Sequence, residues 1–196
     1  MQAIDALLTR RSARALTEPA PDAGALELMF ASAVRAPDHG RLRPWRFVIM
    51  RGAARERFGE LLAAHLRRAH PHSDEETLRR ERLKALRAPL IVAVAARCNP
   101  AVKIPLIEQV LSAAAAAHAM MLAALALGFG AMWKTGGPAY DAEVKTSLGL
   151  AADDAIVGFL YLGTEAGTQP AAAPSEWRDL VHELPAEGLP YDARPP

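Results

Sequence analysis

Cysteine is all but missing from this sequence: Cys98 is the only one in 196 residues. That excludes an intramolecular disulfide and any zinc site built from several cysteines, and it suits a reducing, cytoplasmic setting. Net charge is nearly missing too, with 23 Lys and Arg against 22 Asp and Glu. No broad field is available to hold nucleic acid, and no basic stripe is interleaved with aromatics. Glycine-rich phosphate loops are absent in both common forms, G-x-G-x-x-G and Walker A. Gly128-Phe129-Gly130 is too short and follows a helical pattern instead of opening one. Any phosphate must therefore be held by side chains. The first residues, with Ile4, Leu7 and Leu8, read as an amphipathic helix without the apolar core and cleavage site of a signal peptide. One long apolar stretch runs from Val110 to Trp133 with only His118 ionisable. It is mostly alanine, so it is expected as a central helix buried on all sides, with no membrane involved. His118 is then expected as a satisfied core histidine.

What is present is 51% hydrophobic residues, enough for one substantial core. A first helix is expected to end near Arg10. A second follows Asp22, with Leu26, Met29, Phe30, Ala33 and Val34 on one face. Trp45 to Met50 reads as a strand, and Phe58, Leu61, Leu62, His65 and Leu66 mark a third helix ended by Pro71. Ser73 and Glu76 predict a capping box for a fourth. Leu90 to Ala96 and Ile156 to Leu162 are apolar runs that suit strands buried on both faces. Between them come the alanine helix from Pro105 to Gly128, a short strand at Ala131 to Trp133, and a helix from Asp141 to Leu148 stopped by Gly149. After Gly163, prolines punctuate the chain and leave Trp177 to Leu184 as the one plausible ordered element. Leu180 to Leu184 is expected to add a strand to the edge of a partner subunit's sheet. The division is thus residues 1–164 as the main domain and 165–196 as an extension.

Two loops concentrate cations. Arg35-Ala36-Pro37-Asp38-His39-Gly40-Arg41-Leu42-Arg43-Pro44-Trp45 places three arginines and a histidine where Pro and Gly forbid regular structure. Arg10, Arg11, Ser12 and Arg14 stand at the end of the first helix, ahead of Pro19 and Pro21. Arginine's planar fork donates paired charge-assisted hydrogen bonds to phosphate oxygens, so the two loops are candidates to converge on one phosphate. A third segment, Gly128 to Gly137, sets Trp133, Lys134 and Thr135 between glycines, a mixture suited to a flat ring with polar edges. His70, His72 and Asp74 read as a hydrated linker, so no metal site is expected, and Cys98 reads as a packed thiol.

Together these segments resemble the FMN-dependent nitroreductase family, most closely its small YdjA-like branch. The resemblance rests on Arg10-Arg11-Ser12, on Arg35 to His39 with Arg43-Pro44-Trp45, on Gly128-Phe129-Gly130 followed by Trp133, and on the closing Val157 to Gly163. It runs from the first helix to about Thr164. It implies an α+β fold whose central mixed or antiparallel sheet is flanked by helices, with a C-terminal tail exchanged across a homodimer. It also implies that Arg10, Arg11 and Ser12 contact the flavin phosphate and ribityl chain, and that Arg35 and His39 reach the flavin held mainly by the other subunit. Trp133, Lys134 and Thr135 would then lie along the isoalloxazine. The implied activity passes reducing equivalents from NADH or NADPH through FMN to nitro compounds, quinones or related small electrophiles. The flavin carries that chemistry, so no nucleophile is expected, and Lys134 takes an electrostatic role beside the reduced ring. Two other readings stay open: a non-catalytic FMN-storing dimer, and a relative that consumes its flavin. A helical interaction module without cofactor is a third.

Overall fold

The computed structural model describes residues 2–167, 176–181 and 183–184. Its elements run α1 (Ala3–Thr9), β1 (Leu16–Thr17), α2 (Ala23–Ala33), β2 (Trp45–Arg51), α3 (Ala53–Ala69), α4 (Glu75–Leu83), β3 (Leu90–Ala96), α5 (Leu106–Ala126), β4 (Gly130–Lys134), α6 (Ala142–Ser147) and β5 (Ala155–Glu165). β3 lies between β2 and β5, and β5 pairs in addition with β4 and, at its end, with β1. Every one of these pairings is antiparallel.

The apolar run Leu90 to Ala96 forms the central strand, and each of its residues is at most 1% exposed. Its two faces feed two cores. Leu90, Val92 and Val94 pack with Leu26 and Met29 of α2 and with Ala116, Met120 and Ala124 of α5. Ile91, Ala93 and Ala95 pack with Phe58 and Leu62 of α3 and Val144 of α6. The sheet is therefore covered on both sides, which is why β3 reads as continuous and not alternating. Fully burying a Leu, Ile or Val side chain is favourable by about 1.5–3 kcal/mol, so this strand anchors both layers.

Three sequence expectations are corrected. The cap of α4 is Asp74, whose carboxylate accepts the Thr77 N–H at 2.7 Å, and not Ser73. A charged acceptor there also meets the positive end of the helix dipole, and Glu76 is drawn instead to Arg79 and Arg80. α5 is not buried on all sides: Ile107 and Leu111 are 61% and 58% exposed. His118 is exposed too, on the helix face turned away from the sheet. α5 is long and apolar enough to cross a membrane by length and composition, yet it packs on β3 and β5 as a core helix does. Arg178–Leu180 form a single 3-10 turn, and within one chain the described residues of 176–184 pair with no strand. The rest of the expected extension lies outside the described residues.

Candidate functional site

Strand register assembles the main cavity. Met132 pairs with Tyr161 and Lys134 with Phe159, and strand alternation sets all four side chains on one face of the sheet. Phe58 and Leu62 of α3 close one side, Glu81, Lys84 and Arg87 another, and the turn Thr135 to Pro138 forms the rim. The enclosed space is about 290 Å3. Its floor is aromatic and its walls carry three cations, one of which, Lys84, pairs with Glu81. Burial pushes the Tyr161 phenol up to about 12, so it stays a neutral hydrogen-bond donor; Arg87 opposes the shift and Glu81 adds to it. Its hydroxyl has no hydrogen-bond partner among the described residues.

Behind the rim lies a polar clamp. His65 packs against Gly137 so closely that any Cβ there would overlap the imidazole. His65 Nδ1 lies 2.8 Å from Asp141 Oδ2, and Arg68 Nη2 donates to the same oxygen at 2.8 Å. Burial works to raise the Asp141 carboxyl, but hydrogen bonds from Arg68, His65 and the Val144 amide outweigh it and hold it well below the usual carboxylate range. The clamp ties the glycine rim and the start of α6 to α3.

The predicted residues fall into three places. Lys134 and Thr135 are exposed on the cavity just described. Trp133 is on the opposite face of the same strand: its Nε1 donates to the Val157 carbonyl at 3.3 Å, and the indole lies across Gly158. Trp133 and Lys134 thus project their side chains from opposite faces of β4.

Arg10 and Arg11 line a small hollow with Met121, Leu125, Phe129 and Gly130 at the other end of β4. Arg11 Nη2 meets Glu165 Oε2 at 2.8 Å. In this half-buried pair, Arg11 Nε and Glu165 Oε1 are buried without a partner. Ser12 is exposed, and the next residue ties the segment to β4 through Ala13 N–H to the Ala131 carbonyl, 2.9 Å. Gly130 to Lys134 spans about 13 Å of strand, so the arginines and Lys134 stand at opposite ends of β4.

The third place is remote. Arg35 and His39 are exposed, and His39 Nδ1 sits 2.6 Å from Glu108 Oε2 in the first turn of α5. The hollow of Arg10 and Arg11 instead meets Leu125 near the last turn of α5. Glu108 to Leu125 is about 25 Å of helix. One chain therefore does not bring the two cationic loops together.

The Arg35 to Trp45 loop is itself strained. Arg41 and Arg43 hold left-handed backbone angles, φ 54° and 50°, beside Gly40 at 70°. For an L-residue this costs about 1–2 kcal/mol each, and part is offset where the Asp38 carboxylate accepts the Arg43 N–H at 2.7 Å. Lys84, Arg87, Glu81 and Tyr161 went unrecognised in the sequence. Glu81, Lys84 and Arg87 share one short segment that is remote in sequence from Tyr161, and the available signal was that Tyr161 shares a strand face with Phe159 in the Val157 to Gly163 run.

The model of the family described as "Nitroreductase family" matches residues 7–164. "Putative NAD(P)H nitroreductase YdjA" of Escherichia coli strain K12 is 42% identical over 164 residues, 84% of this chain and 88% of that protein. Among solved structures, a nitroreductase-like family protein from Bacillus cereus superposes with a TM-score of 0.80 at 22% identity, covering 94% of this chain and 96% of that one. A nitroreductase with bound FMN from Bacteroides fragilis gives a TM-score of 0.71 at 21% identity, covering 94% and 100%.

Proposed function

The chain belongs to the nitroreductase family, and from that premise we propose that it is an FMN-dependent oxidoreductase drawing on NADH or NADPH. Small electrophiles such as nitro compounds and quinones are the acceptor class that suits it, and two copies of the chain share each flavin. The single observation that carries this reading is the placement of cations along β4. Arg10 and Arg11 line a hollow at its start and Lys134 a cavity over Met132, Phe159 and Tyr161 at its end, about 13 Å apart along the strand.

The residues present fit that cofactor. The orphaned Arg11 Nε calls for an acceptor and the orphaned Glu165 Oε1 for a donor, and ribityl hydroxyls can serve as both. The flat aromatic floor and the glycine rim at Gly136 and Gly137 suit a tricyclic ring. FMN, when bound, takes up and passes on a pair of electrons. Arg10 and Ser12 would hold its acidic end, because guanidinium and hydroxyl donors match phosphate oxygens. Arg11 is in part occupied by Glu165, which makes it an orienting neighbour more than a free phosphate donor.

Lys84, Arg87 and Lys134 would stabilise negative charge that accumulates on the reduced ring, since cations already held at the cavity need little reorganisation. Tyr161 stays protonated at neutral pH and can donate a hydrogen bond into the same space. At about 290 Å3 the cavity is at the small end of the roughly 300–1,000 Å3 typical of ligand sites. A share contributed by a second copy would complete it, and Arg35 and His39 are the residues proposed for that share. Exposed Ile107 and Leu111 on α5, with Leu7 and Leu8 on α1, offer the apolar face on which the copies would meet.

The test is the visible spectrum of the purified protein before and after anaerobic NADPH or NADH. An enzyme of this kind is yellow and bleaches on the timescale of turnover. A colourless protein would overturn the cofactor assignment. A yellow protein that does not bleach with either nucleotide would leave an FMN-storing dimer, and one that loses its flavin in air would favour the flavin-consuming reading.

A further inference from the structure

A second cationic cleft lies where β2 begins and β3 ends, away from the cavity under α3 and α4. It encloses about 390 Å3, and Arg43, Arg46 and Arg97 line it together with Cys98, Asn99 and Gln109. Sheet geometry brings the arginines together. Arg46 pairs with Ala95, and one step further the Arg97 N–H donates to the Pro44 carbonyl at 2.7 Å, so Arg97 stands beside the Arg43 to Arg46 segment. The strained loop at Arg41 and Arg43 delivers the third guanidinium.

The cleft is ordered without being neutralised. Arg46 Nη1 is clipped to the carbonyls of Arg43 and Trp45 at 3.1 and 2.8 Å, which fixes its guanidinium while leaving its other N–H groups available. Gln109, only 2% exposed, grips Asn99 from both sides, accepting from its N–H at 2.8 Å and donating to its carbonyl at 3.0 Å. The nearby carboxylates are oriented by backbone amides and form no ion pair with these arginines. Asp154 accepts from the N–H groups of Cys98 and Ala151, and Asp38 from that of Arg43. Elsewhere Arg11, Arg67, Arg68 and Arg82 all find carboxylates. Among the described residues, Arg43, Arg46 and Arg97 form no ion pair. All three are exposed, and an anion entering the cleft would meet all three guanidinium groups.

We propose that this cleft is a phosphate-binding site, taking a dianionic phosphate group between Arg43, Arg46 and Arg97. Guanidinium forks around a concave, polar site are the chemistry that recognises phosphate in preference to chloride. The phosphate has two possible carriers, the ribose 2′-phosphate of NADPH or a separate phosphorylated small molecule, and the experiment separates them.

The full chain as purified is titrated calorimetrically with potassium phosphate, and with potassium chloride at matched ionic strength. Saturable heat is expected with phosphate alone. Arg97→Gln, whose side chain holds no loop in place, and Arg46→Gln are each expected to weaken that binding by about tenfold or more, with flavin content unchanged. If the same variants raise the KM for NADPH and leave that for NADH untouched, the carrier is the dinucleotide. If phosphate binding falls while use of both nucleotides is unchanged, the carrier is a separate phosphate ester. Absence of saturable heat in the unmodified protein, or equal heat in both variants, overturns the site. The titration needs no flavin reduction, so its failure is distinguishable from failure of the proposed oxidoreductase activity.

Discussion

Arg10 and Arg35 are the residues whose loss should be felt most directly. Each would remove a charge-assisted contact worth about 1.5–3 kcal/mol, so Arg10→Ala and Arg35→Ala are expected to weaken FMN binding by roughly 10- to 100-fold. Fluorescence titration with FMN measures this, and unchanged affinity in both would remove them from the site. Lys134→Ala should act differently. With one cation fewer beside the reduced ring, the flavin midpoint potential should fall by about 30 mV or more, equivalent to about 1.4 kcal/mol in a two-electron couple. Spectroelectrochemistry reads that shift, and an unaltered potential would take the electrostatic role from Lys134. At this scale the sequence was legible where chemistry is contiguous, as in Arg10-Arg11-Ser12. It was illegible where chemistry is assembled across strands: Tyr161 and Lys134 share a wall through β4–β5 register, and Arg11 meets Glu165 from the far end of the chain. Strand facing was not written in the segment either: Trp133 and Lys134 are neighbours whose side chains point to opposite faces.

Among the elements, the junction of α3 and α6 makes the sharpest claim. Asp141 caps α6 through the Val144 N–H at 3.0 Å while accepting from His65 and Arg68. Its carboxyl is held below the usual range in the folded chain, so the stability it contributes is present above the unfolded value and drains away as pH falls through the folded one. Asp141→Ala should therefore cost about 2 kcal/mol at neutral pH. The gap to the unmodified protein should narrow below about pH 4, where an ordinary Asp begins to protonate. Urea denaturation at a series of pH values checks it, and a gap that stays constant would contradict the clamp. Element boundaries were largely readable because the signals are local: Asp22 caps α2 at 2.8 Å to the Ala25 N–H, and Gly149 stops the helix before it with φ 74°. The burial of α5 was not readable, because an alanine-rich helix carries too weak a stripe to say which face meets water.

At the scale of the whole molecule, the separation of the two cationic loops is the governing fact. About 25 Å of α5 lies between the residue touching His39 and the residue beside Arg10 and Arg11, so a shared flavin needs a second copy. The apolar stripe of Ile107 and Leu111 on that same helix is where the copies should pack. Leu111→Glu is expected to yield monomer in sedimentation experiments and to lose FMN with it, and a monomer that still binds FMN tightly would contradict the shared site. The measurement that bears most directly on this is complementation between two crippled chains. Arg10→Ala and Arg35→Ala variants are co-expressed with different tags, and the mixed dimer is isolated and titrated with FMN. If each site draws Arg10 from one copy and Arg35 from the other, one site in the mixed dimer is doubly defective and the other fully intact. The expected result is one tightly bound FMN for every two chains. Two equally weakened sites, with no recovery over the parent variants, would show that a single chain holds its own flavin and would contradict the shared site.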